Sequence, residues 1–373
     1  MPDPGDDRAL LDLICLTMTP GVGPLTSRAL IEHFGDVGSI LSASLAELKR
    51  VPGVGPKLAE KIASGRKDLD PQVELERCRQ RGVRLIPFDS PDYPESLKSI
   101  PDPPLLLYVR GELTPADQLA IALVGARKST PYGMRVAERL AGSLARVGLT
   151  VVSGLARGID AAAHRGAIRA GGRTIAVLGN GLGSIYPPEH GPLADEVAAH
   201  GAVISEHAME QQPLAGLFPQ RNRLIAGLSL GVVVVEAAPR SGSLSTASHA
   251  MEQNREVFAV PGPIDSLASR GCHALIRDGA RLVETVDDIL EELGPLARAV
   301  QATPESPAVR HPAELSLSEH ERALLGHLDD LPRGIDELIV RTGLAPSQVM
   351  ATLAVLEMRR LIRRAAGNQF SRV

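Results

Sequence analysis

The sequence predicts an α/β protein built around a doubly wound, mainly parallel sheet of the Rossmann-like type. In the middle of the chain, apolar runs rich in Val, Ile and Leu alternate with stretches of helical pattern, and the runs are apolar at nearly every position. Strands of that kind are typical of parallel sheets that helices cover on both faces. The length of 373 residues suggests two to three domains, and the 44% apolar content excludes disorder across the whole chain.

Composition divides the chain into consecutive regions. Their predicted bounds are 8–67 for short helices broken by Gly-rich turns, 70–118 for a Pro-rich connection with short strands, 119–292 for the Rossmann-like domain, 295–314 for a linker, and 315–373 for a small helical unit with a β-like end. The linker is rich in Pro, Ala and Ser and lacks hydrophobic periodicity.

The middle region contains six predicted strands, each followed by a helical stretch or a Gly-rich loop. They are Ala120–Val124, Thr150–Ser153, Thr174–Leu178, Ala202–Ser205, Val232–Glu236 and Val257–Val260. The connection before them contains two further short candidates, Val83–Pro87 and Leu105–Val109. In doubly wound sheets a ligand binds beyond the carboxyl ends of the strands, at the point where the strand order reverses, so the loops there carry the predicted site.

The strand-end loops share one chemistry, which is that of anion binding. Their sequences are GARKSTPYG, SGLARGID, GNGLG and EAAPRSGSL. Glycine lets backbone amides approach a ligand, a following helix N-terminus favours negative charge, and Arg, Ser or Thr completes the cradle. Arginines accompany these loops, namely Arg127, Arg157, Arg221, Arg223 and Arg240. The set predicts a polyanion-binding crevice, although any one of these arginines has an alternative role in a surface ion pair.

The same loops lack the features of an enzyme. The strict G-x-G-x-x-G fingerprint is absent after the first strand, which disfavours a nicotinamide enzyme. His164 has the pattern of a core or capping histidine, and Asp160, Glu206 and Glu236 are better suited to orienting an arginine or capping a helix than to acting as a base. No nucleophile elbow and no metal-ligand spacing is present. We therefore expect no catalytic residue, metal or cofactor.

The N-terminal region contains a repeated Gly-Val-Gly hairpin. PGVGPLTSRALI begins at Pro20 and PGVGPKLAEKI begins at Pro52. Both fit a helix-hairpin-helix (SAM-like) domain, in which the N-terminal amides of the second helix meet a DNA phosphate. Pro20–Lys67 is net positive in a chain whose net charge is -4. This favours DNA contact through Lys57 and Lys61; the alternative is that the motif serves only for packing or protein contact.

The C-terminal region predicts a winged helix. Ser318–Leu328 is a first helix, Ile335–Thr342 and Pro346–Met358 resemble a helix-turn-helix, and a wing hairpin turns at Gly367-Asn368. The presumed recognition helix is poor in base-reading side chains, so sequence-specific readout is not expected. Arginines around the wing, among them Arg363 and Arg364, are candidates to hold duplex phosphate, and protein binding is an equal alternative.

Composition also bears on the compartment. The N-terminal stretch MPDPGDDRALLDLICL is acidic where a signal peptide would be basic, and no apolar run is long enough to span a bilayer. The three cysteines are far apart in sequence, which disfavours a disulfide framework. These observations predict a cytoplasmic protein without a membrane partner.

At the strand-end loops the sequence resembles the DNA-processing protein A family (DprA, also called Smf). The matching segments cover about residues 119–283 and include ALVGARKSTPYG, VVSGLARGIDAAAHRGAI, FPQRNRLIAGLS and VVVVEAAPRSGSLSTASHAMEQNREVFAVPG. The departures are small: Ala126 stands where Ser is usual, His207 where an aromatic or Pro-rich turn often follows, and His273 where Asn is usual. None of them disturbs an arginine position.

The resemblance implies a function and a site. Members of that family bind single-stranded DNA, recruit the recombinase RecA and help load it onto incoming strands during natural transformation, and they dimerise through the Rossmann-like domain. By match to the motifs, Arg127 would contact a DNA phosphate. The residues implied as its neighbours are Gly125, Lys128, Ser153, Gly154, Arg157, Gly179, Gly181, Phe218, Arg221, Arg223, Ser241 and Ser243. Phe218 would stack against a base or, equally, serve as a hydrophobic staple for the helix that follows.

The sequence therefore predicts a homodimeric, single-strand DNA-binding recombination mediator that hands DNA to RecA. A nucleotide-binding enzyme that hydrolyses N-glycosidic or phosphate bonds, with Glu236 beside Arg240-Ser241-Gly242-Ser243, is the alternative from another class. A third hypothesis is a double-strand architectural protein that binds duplex DNA through its two end domains.

Overall fold

The computed structural model describes residues 4–294, 319–328, 333–358, 361–365 and 369–372. The chain divides into two compact units, one ending at Glu292 and the other beginning at Leu293.

The first unit begins with a helical domain that has the two expected hairpins. Its helices are α1 (Pro4–Met18), α2 (Pro24–Phe34), α3 (Val37–Ser42), α4 (Leu45–Leu48) and α5 (Pro56–Asp68). Gly21 and Gly53 open the two hairpins at φ values of 99° and 84°, a backbone region that favours glycine. A proline then starts each following helix, α2 and α5. Leu30, Ile40 and Ile62 are fully buried between the helices. The structure confirms the helix-hairpin-helix domain.

The segment predicted as a Pro-rich connection contributes a helix and two strands to the main sheet. Its elements are α6 (Pro71–Gln80), β1 (Val83–Pro87), α7 (Glu95–Lys98) and β2 (Leu106–Gly111). Strand β2 pairs antiparallel with β1 and with a strand about a hundred residues later, which spans Gly201–Ser205. Both short strands predicted in this connection are present, and they belong to the main sheet, which the sequence did not indicate because the pairing of β2 with β6 leaves no local signal.

The central sheet has nine strands within the described residues. The remaining ones are β3 (Ala120–Val124), β4 (Thr150–Ser153), β5 (Thr174–Val177), β6 (Gly201–Ser205), β7 (Gly231–Val234), β8 (Glu256–Ala259) and β9 (Arg281–Leu282). Their order is β1-β2-β6-β5-β4-β3-β7-β8-β9, and β3 to β9 pair in parallel. The chain runs outward from β3 through β4, β5 and β6, then returns to β7 on the other side of β3. The order therefore reverses between β3 and β7.

Helices cover both faces of this sheet. They are α8 (Pro131–Arg146), α9 (Ile159–Arg169), α10 (Gly191–Ala199), α11 (Leu217–Gly227), α12 (Ser243–Glu252), α13 (Arg270–Arg277) and α14 (Val286–Leu293). Alternate residues of one strand enter different apolar clusters: Ile175 and Val177 belong to one, and Ala176 to the other. All three are fully buried. Two-sided burial accounts for the uninterrupted apolar strands and confirms the doubly wound, mostly parallel fold.

The second unit is a winged helix. Its described elements are α15 (Glu319–Gly326), β10 (Arg333–Gly334), α16 (Ile335–Thr342), α17 (Pro346–Met358), β11 (Ile362–Ala365) and β12 (Gln369–Arg372). The strands form a sheet in the order β10-β12-β11. Gly343, at a φ of 67°, ends α16 in the left-handed conformation at the predicted turn. The predicted linker 295–314, the helix start at Ser318 and the wing turn Gly367-Asn368 lie outside the described residues.

In the part of the chain that the structure describes, no single helix has the length and apolarity needed to cross a membrane. Ile335–Thr342 and Pro346–Glu357 meet that test only when taken together, with a bend of 111° between them.

Candidate nucleic-acid interface

A crevice of about 760 Å³ opens at the carboxyl ends of the strands, between the loops that follow β3 and β7. This is the reversal point of the sheet, where the sequence placed the site. Predicted residues that line the crevice are Gly125, Arg127, Lys128, Phe218, Arg221, Arg240, Ser241 and Ser243. Gly154 and Arg157 line a smaller adjoining hollow, together with Arg127, Phe218 and Arg221.

The rim of the crevice carries unneutralised positive charge. Arg127, Lys128 and Arg240 are exposed. Among the described residues, no carboxylate lies within 4.0 Å of these three side chains, whereas other arginines of the first unit, such as Arg81, Arg110 and Arg173, do have such a partner. An exposed cation without a counter-charge retains its full attraction for an incoming anion. The rim is therefore suited to phosphate.

An aromatic ring positions one of these cations. The Arg127 guanidinium carbon lies 5.1 Å from the centroid of the half-buried Phe218 ring, which is within cation–π distance. The Tyr186 ring lies 5.6 Å from that of Phe218, centroid to centroid. Sequence reasoning did not select Tyr186, although an aromatic residue is conspicuous in a chain with only 2% aromatic residues. The two rings restrict where the Arg127 guanidinium can lie.

Arg157 also lies near the rim, but its side chain is paired with a carboxylate. Its Nε donates to Glu189 Oε1 at 2.5 Å, and both side chains are about half exposed. This hydrogen bond raises the pKa of Arg157 and lowers the pKa of Glu189. The Glu189 carboxylate binds the Arg157 guanidinium and would compete with a phosphate for it.

Arg221 forms the floor of the crevice. It is 4% exposed, and its Nη1 donates to the carbonyl oxygens of Gly154, at 2.9 Å, and Val177. Burial lowers the pKa of Arg221 to about 10, and the positive charge of Arg127 adds to this effect. Gly154 makes room for the guanidinium, since a Cβ there would lie 2.5 Å from Arg221 Nη2. The floor therefore carries a buried positive charge.

A buried carboxyl group lies near that charge. Asp160 is 6% exposed and its Oδ2 accepts a hydrogen bond from the Ala156 N–H at 3.3 Å. Burial raises the pKa of Asp160, and the charge of Arg221 opposes that rise. Asp160 thus balances part of the positive floor.

The glycines of the loops allow the loops to pack against one another. A Cβ on Gly125 would lie 2.6 Å from Ile159 Cγ1, and a Cβ on Gly181 would collide with the Ala208 carbonyl. Gly179 and Gly181 are buried, and the Gly181 N–H donates to the Gln211 carbonyl at 2.9 Å. The amide of Gly181 is therefore already used within the protein, which differs from the expected cradle of free amides.

Two of the predicted DNA contacts, Ser153 and Arg223, lie beneath the surface. Ser153 is fully buried and its hydroxyl donates to the Leu123 carbonyl at 2.6 Å. Arg223 is 5% exposed and pairs with Glu206 at 2.5 Å and Asp102 at 2.9 Å. The sequence did contain a sign that Arg223 faces away from Arg221, because the two residues are two apart on one helix and so point to opposite sides. Neither side chain faces the crevice.

Hydrogen bonds of Ser241, Ser243 and Asn222 stabilise the side of the crevice formed by the loop after β7 and by α11. Ser241 Oγ and Ser243 Oγ lie 2.8 Å apart. Asn222 Nδ2, which sequence reasoning did not select, donates to the Gly242 carbonyl at 3.2 Å and to Ser245 Oγ at 2.8 Å. These bonds hold the loop after β7 against α11.

Glu236 and His164, which the sequence offered as possible catalytic residues, form hydrogen bonds within the fold. Glu236 is 3% exposed; its two oxygens accept from the Thr130 N–H at 2.9 Å and the Thr130 hydroxyl at 2.5 Å. His164 is fully buried, its Nδ1 lies 2.7 Å from Thr174 Oγ1, and burial lowers its pKa to about 3. Across the described ranges, no group of three or more His, Cys, Asp or Glu side chains is arranged to hold a metal ion.

The flanking candidates are on the surface where they are described. Lys57 and Lys61 are exposed on α5, and Lys61 Nζ donates to the Pro20 carbonyl at 3.4 Å. Arg363 is exposed on β11 and its Nε donates to Ser371 Oγ at 3.1 Å. Arg364 is the next residue of the same strand.

Comparison with known families assigns each part of the chain. Residues 84–294 match the family described as DNA recombination-mediator protein A, residues 307–368 match the DprA winged helix domain, and residues 14–68 match the SAM-like helix-hairpin-helix tandem. The order of these matches is the order of the three domains described above.

Individual proteins named Smf and DprA are also similar in sequence to this chain. The chain is 35% identical to Protein Smf of Synechocystis over 383 residues, covering 94% of this chain and 96% of the relative. It is 46% identical to DNA processing protein DprA of Bacillus subtilis over 220 residues, covering 59% of this chain and 74% of the relative.

Two solved structures are also similar. The crystal structure of DNA processing protein A from Streptococcus pneumoniae is 37% identical with a TM-score of 0.65, covering 74% of this chain and 95% of that one. The structure of DNA processing protein A from Helicobacter pylori, described as giving insights into its single-stranded DNA binding mode, is 30% identical with a TM-score of 0.51, covering 56% of this chain and 95% of that one. By these matches in sequence and fold, the chain belongs to the DNA recombination-mediator protein A family.

Proposed function

We propose that this protein is a recombination mediator that binds single-stranded DNA in the crevice between the β3 and β7 loops, protects the strand and loads RecA onto it. The observation that carries the proposal is the rim of exposed, unneutralised cations, Arg127, Lys128 and Arg240, above the buried Arg221. The Helicobacter pylori relative supports the choice of ligand, since its structure is described as showing a single-stranded DNA binding mode.

Binding by such a crevice depends mainly on the phosphates. Arginine and lysine neutralise phosphate charge and release counterions, which gives an affinity that falls with salt and tolerates any sequence. Arg127, held against the Phe218 ring, is the first group that an incoming strand would meet. Phe218 supports Arg127 in this proposal, and its role as a base-stacking surface is secondary because the ring is half-buried.

The proposed DNA contacts follow the exposed and crevice-lining residues. They are Gly125, Arg127, Lys128, Gly154, Arg157, Phe218, Arg221, Arg240, Ser241 and Ser243. Gly179 and Gly181 shape the neighbouring loop, while Ser153 and Arg223 stabilise the fold below it. Contact with RecA and homodimer formation, which would add avidity for a long strand, also belong to the proposal.

The proposal does not include catalysis. The nucleotide-enzyme alternative needs Glu236 as an acid or base, but its two carboxylate oxygens already accept hydrogen bonds from Thr130 at the start of α8. Assays for product from nucleoside monophosphates test that alternative directly. The flanking Lys57, Lys61, Arg363 and Arg364 are proposed as secondary contacts, with duplex DNA as their partner.

Equilibrium binding of labelled oligonucleotides over a salt series tests the proposal. The variant is Arg127→Glu. The matched control is Arg84→Glu, because Arg84 is half exposed on the edge strand β1 and is not among the residues lining the crevice. We expect tighter binding of single strands than of duplex, with a slope of about -0.7 per contacted phosphate. Arg127→Glu should weaken binding and flatten the slope, and Arg84→Glu should not. Equal binding by both variants and the unmodified protein would refute the crevice assignment.

A further inference from the structure

A second cationic surface lies outside the crevice, between helices α8 and α9. A groove of about 340 Å³ is open there to solvent. Its arginines are Arg135, Arg139 and Arg146 from α8 and Arg169 from α9. We refer to it as the arginine groove. All four side chains are exposed.

Glycines at the helix contact explain why a groove exists at this place. A Cβ on Gly166 would lie 2.8 Å from Glu138 Cα, so the two helices approach one another closely at that point. A Cβ on Gly142 would lie 3.3 Å from the Gly166 carbonyl oxygen. Gly142, Gly166 and Ala170 form the floor of the groove, and the arginine side chains and Glu138 form its walls.

The arginines follow one face of α8. Positions 135, 139, 142 and 146 recur at intervals of three or four residues, which places them in a row along the helix. At a rise of about 1.5 Å per residue, Arg135 and Arg146 are about 16 Å apart along the axis. A row of that length suits an extended polymer better than a single small anion.

Most of this charge is unneutralised. Arg169 pairs with Glu138 at 2.9 Å. Arg139 Nη2 donates to the Glu284 backbone carbonyl at 3.3 Å and Arg146 Nη2 donates to Ser143 Oγ at 3.1 Å. Neither acceptor is a charged group. Within the described ranges, no carboxylate comes within 4.0 Å of the Arg135, Arg139 or Arg146 guanidinium, in a chain whose net charge is -4.

We propose that the arginine groove is a second phosphate-binding track, which holds the nucleic-acid backbone where the strand leaves the crevice. This proposal rests on the proposed function. The near end of the track follows the crevice closely along the chain, because α8 begins at Pro131, three residues after Lys128 of the rim, and Arg135 lies one turn later.

The chemistry of the groove favours a phosphate backbone over an acidic protein surface. The planar guanidinium binds phosphate oxygens in pairs, and along the helix axis Arg135 and Arg139 are about 6 Å apart and Arg139 and Arg146 about 10 Å apart. The floor of small residues admits a thin polymer between the arginine walls. An acidic protein would need complementary side chains to fill that floor, and this becomes an outcome of the test.

The test compares short and long single strands of one sequence. The groove variant is Arg139→Glu/Arg146→Glu. The control is Arg79→Glu/Arg84→Glu, which makes the same change in net charge at exposed positions away from the groove and the crevice. Strands of about 6 nucleotides fill the crevice alone, and strands of about 20 reach the groove. Melting temperatures accompany each variant, and Arg139→Gln/Arg146→Gln replaces the reversal if that variant does not fold.

We expect the groove variant to bind the long strand about tenfold more weakly at low salt, with a slope flatter by about 1.4, and to bind the short strand as the unmodified protein does. Arg139→Lys/Arg146→Lys should keep most of the slope, and the control should bind both strands normally.

Three results would overturn the track. If the groove variant binds both strands normally while Arg127→Glu loses both, the proposed function stands and the track is wrong. If the groove variant keeps DNA binding but loses RecA loading, the groove is a protein-binding surface. If the unmodified protein binds neither strand, the proposed function fails and the track fails with it.

Discussion

Replacing Glu236 by alanine tests whether this buried carboxylate is structural. Its two oxygens accept the N–H and the hydroxyl of Thr130, at 2.9 and 2.5 Å, and the Thr130 hydroxyl in turn accepts the Gly133 N–H at 3.1 Å at the start of α8. Gly133 has no room for a side chain beside the carboxylate. One side chain therefore fixes the loop after β3 and the beginning of the helix that carries the arginine groove.

The magnitude follows from the two hydrogen bonds. A hydrogen bond to a charged group contributes about 1.5–3 kcal/mol, so losing both costs about 3–6 kcal/mol. At about 2–4 °C per kcal/mol, the melting temperature should fall by about 6–24 °C. Glu236→Gln keeps the volume and one acceptor oxygen, so it should cost about half as much, about 1.5–3 kcal/mol.

Thermal unfolding followed by circular dichroism measures the effect, and the control is Glu252→Ala. Glu252 is exposed at the end of α12, where truncation should change stability by less than about 0.5 kcal/mol. If Glu236→Ala melts with the unmodified protein, the structural role is refuted. A product from nucleoside monophosphates that disappears in a fully stable Glu236→Gln variant would establish the catalytic alternative instead.

Three further predictions concern buried or paired charges. Acidification from pH 7 to pH 5 should destabilise the fold by about 2 kcal/mol through His164. The pKa of His164 in the folded protein is about 3, below the usual value near 6.5, so the unfolded chain takes up the proton first. In urea titrations at several pH values, His164→Gln should lose this dependence of the unfolding free energy on pH. Arg223→Met should cost about 3–5 kcal/mol in urea unfolding by leaving two carboxylates without their partner, while the salt slope of DNA binding by the folded protein stays unchanged. Glu189→Gln should strengthen single-strand binding and steepen its salt slope, by up to about 0.7, because it frees Arg157 for phosphate; fluorescence anisotropy over a salt series would show no change if Arg157 does not contact DNA.

The sequence predicted the parts of the fold whose signals are local. Two of the six predicted parallel strands have the predicted bounds and the other four differ by one or two residues at an end, because two-sided burial makes their residues apolar throughout. The antiparallel strand β2 joins β6 across nearly a hundred residues, and β9 is two residues long, Arg281–Leu282. Neither pairing produces a pattern within a short window, so the sequence could not show that both belong to the main sheet.

The site was predictable in position and less so in residue roles. The parallel-sheet pattern and the loop composition predicted a cationic crevice at the carboxyl ends of the strands, and a crevice lies at that edge, between the loops after β3 and β7. Whether each polar side chain is exposed, buried or paired with another group depends on tertiary packing, which the sequence motifs do not show. Glu189 neutralises Arg157, and a backbone carbonyl at the end of β3 accepts the Ser153 hydroxyl.

Three arginines of the Rossmann-like domain show how environment divides one residue type. Arg223 is paired with two carboxylates, Arg221 is buried against backbone carbonyls, and Arg127 is exposed over an aromatic ring. Burial and the charge of Arg127 both lower the pKa of Arg221, and Asp160 offsets part of this effect, so the protein holds the Arg221 charge at a cost in stability. In the proposed function, an anionic strand relieves that repulsion, because ligand binding stabilises whichever state binds the ligand. The proposal then also accounts for the rim cations, because carboxylate partners like those of Arg223 would compete with phosphate for them.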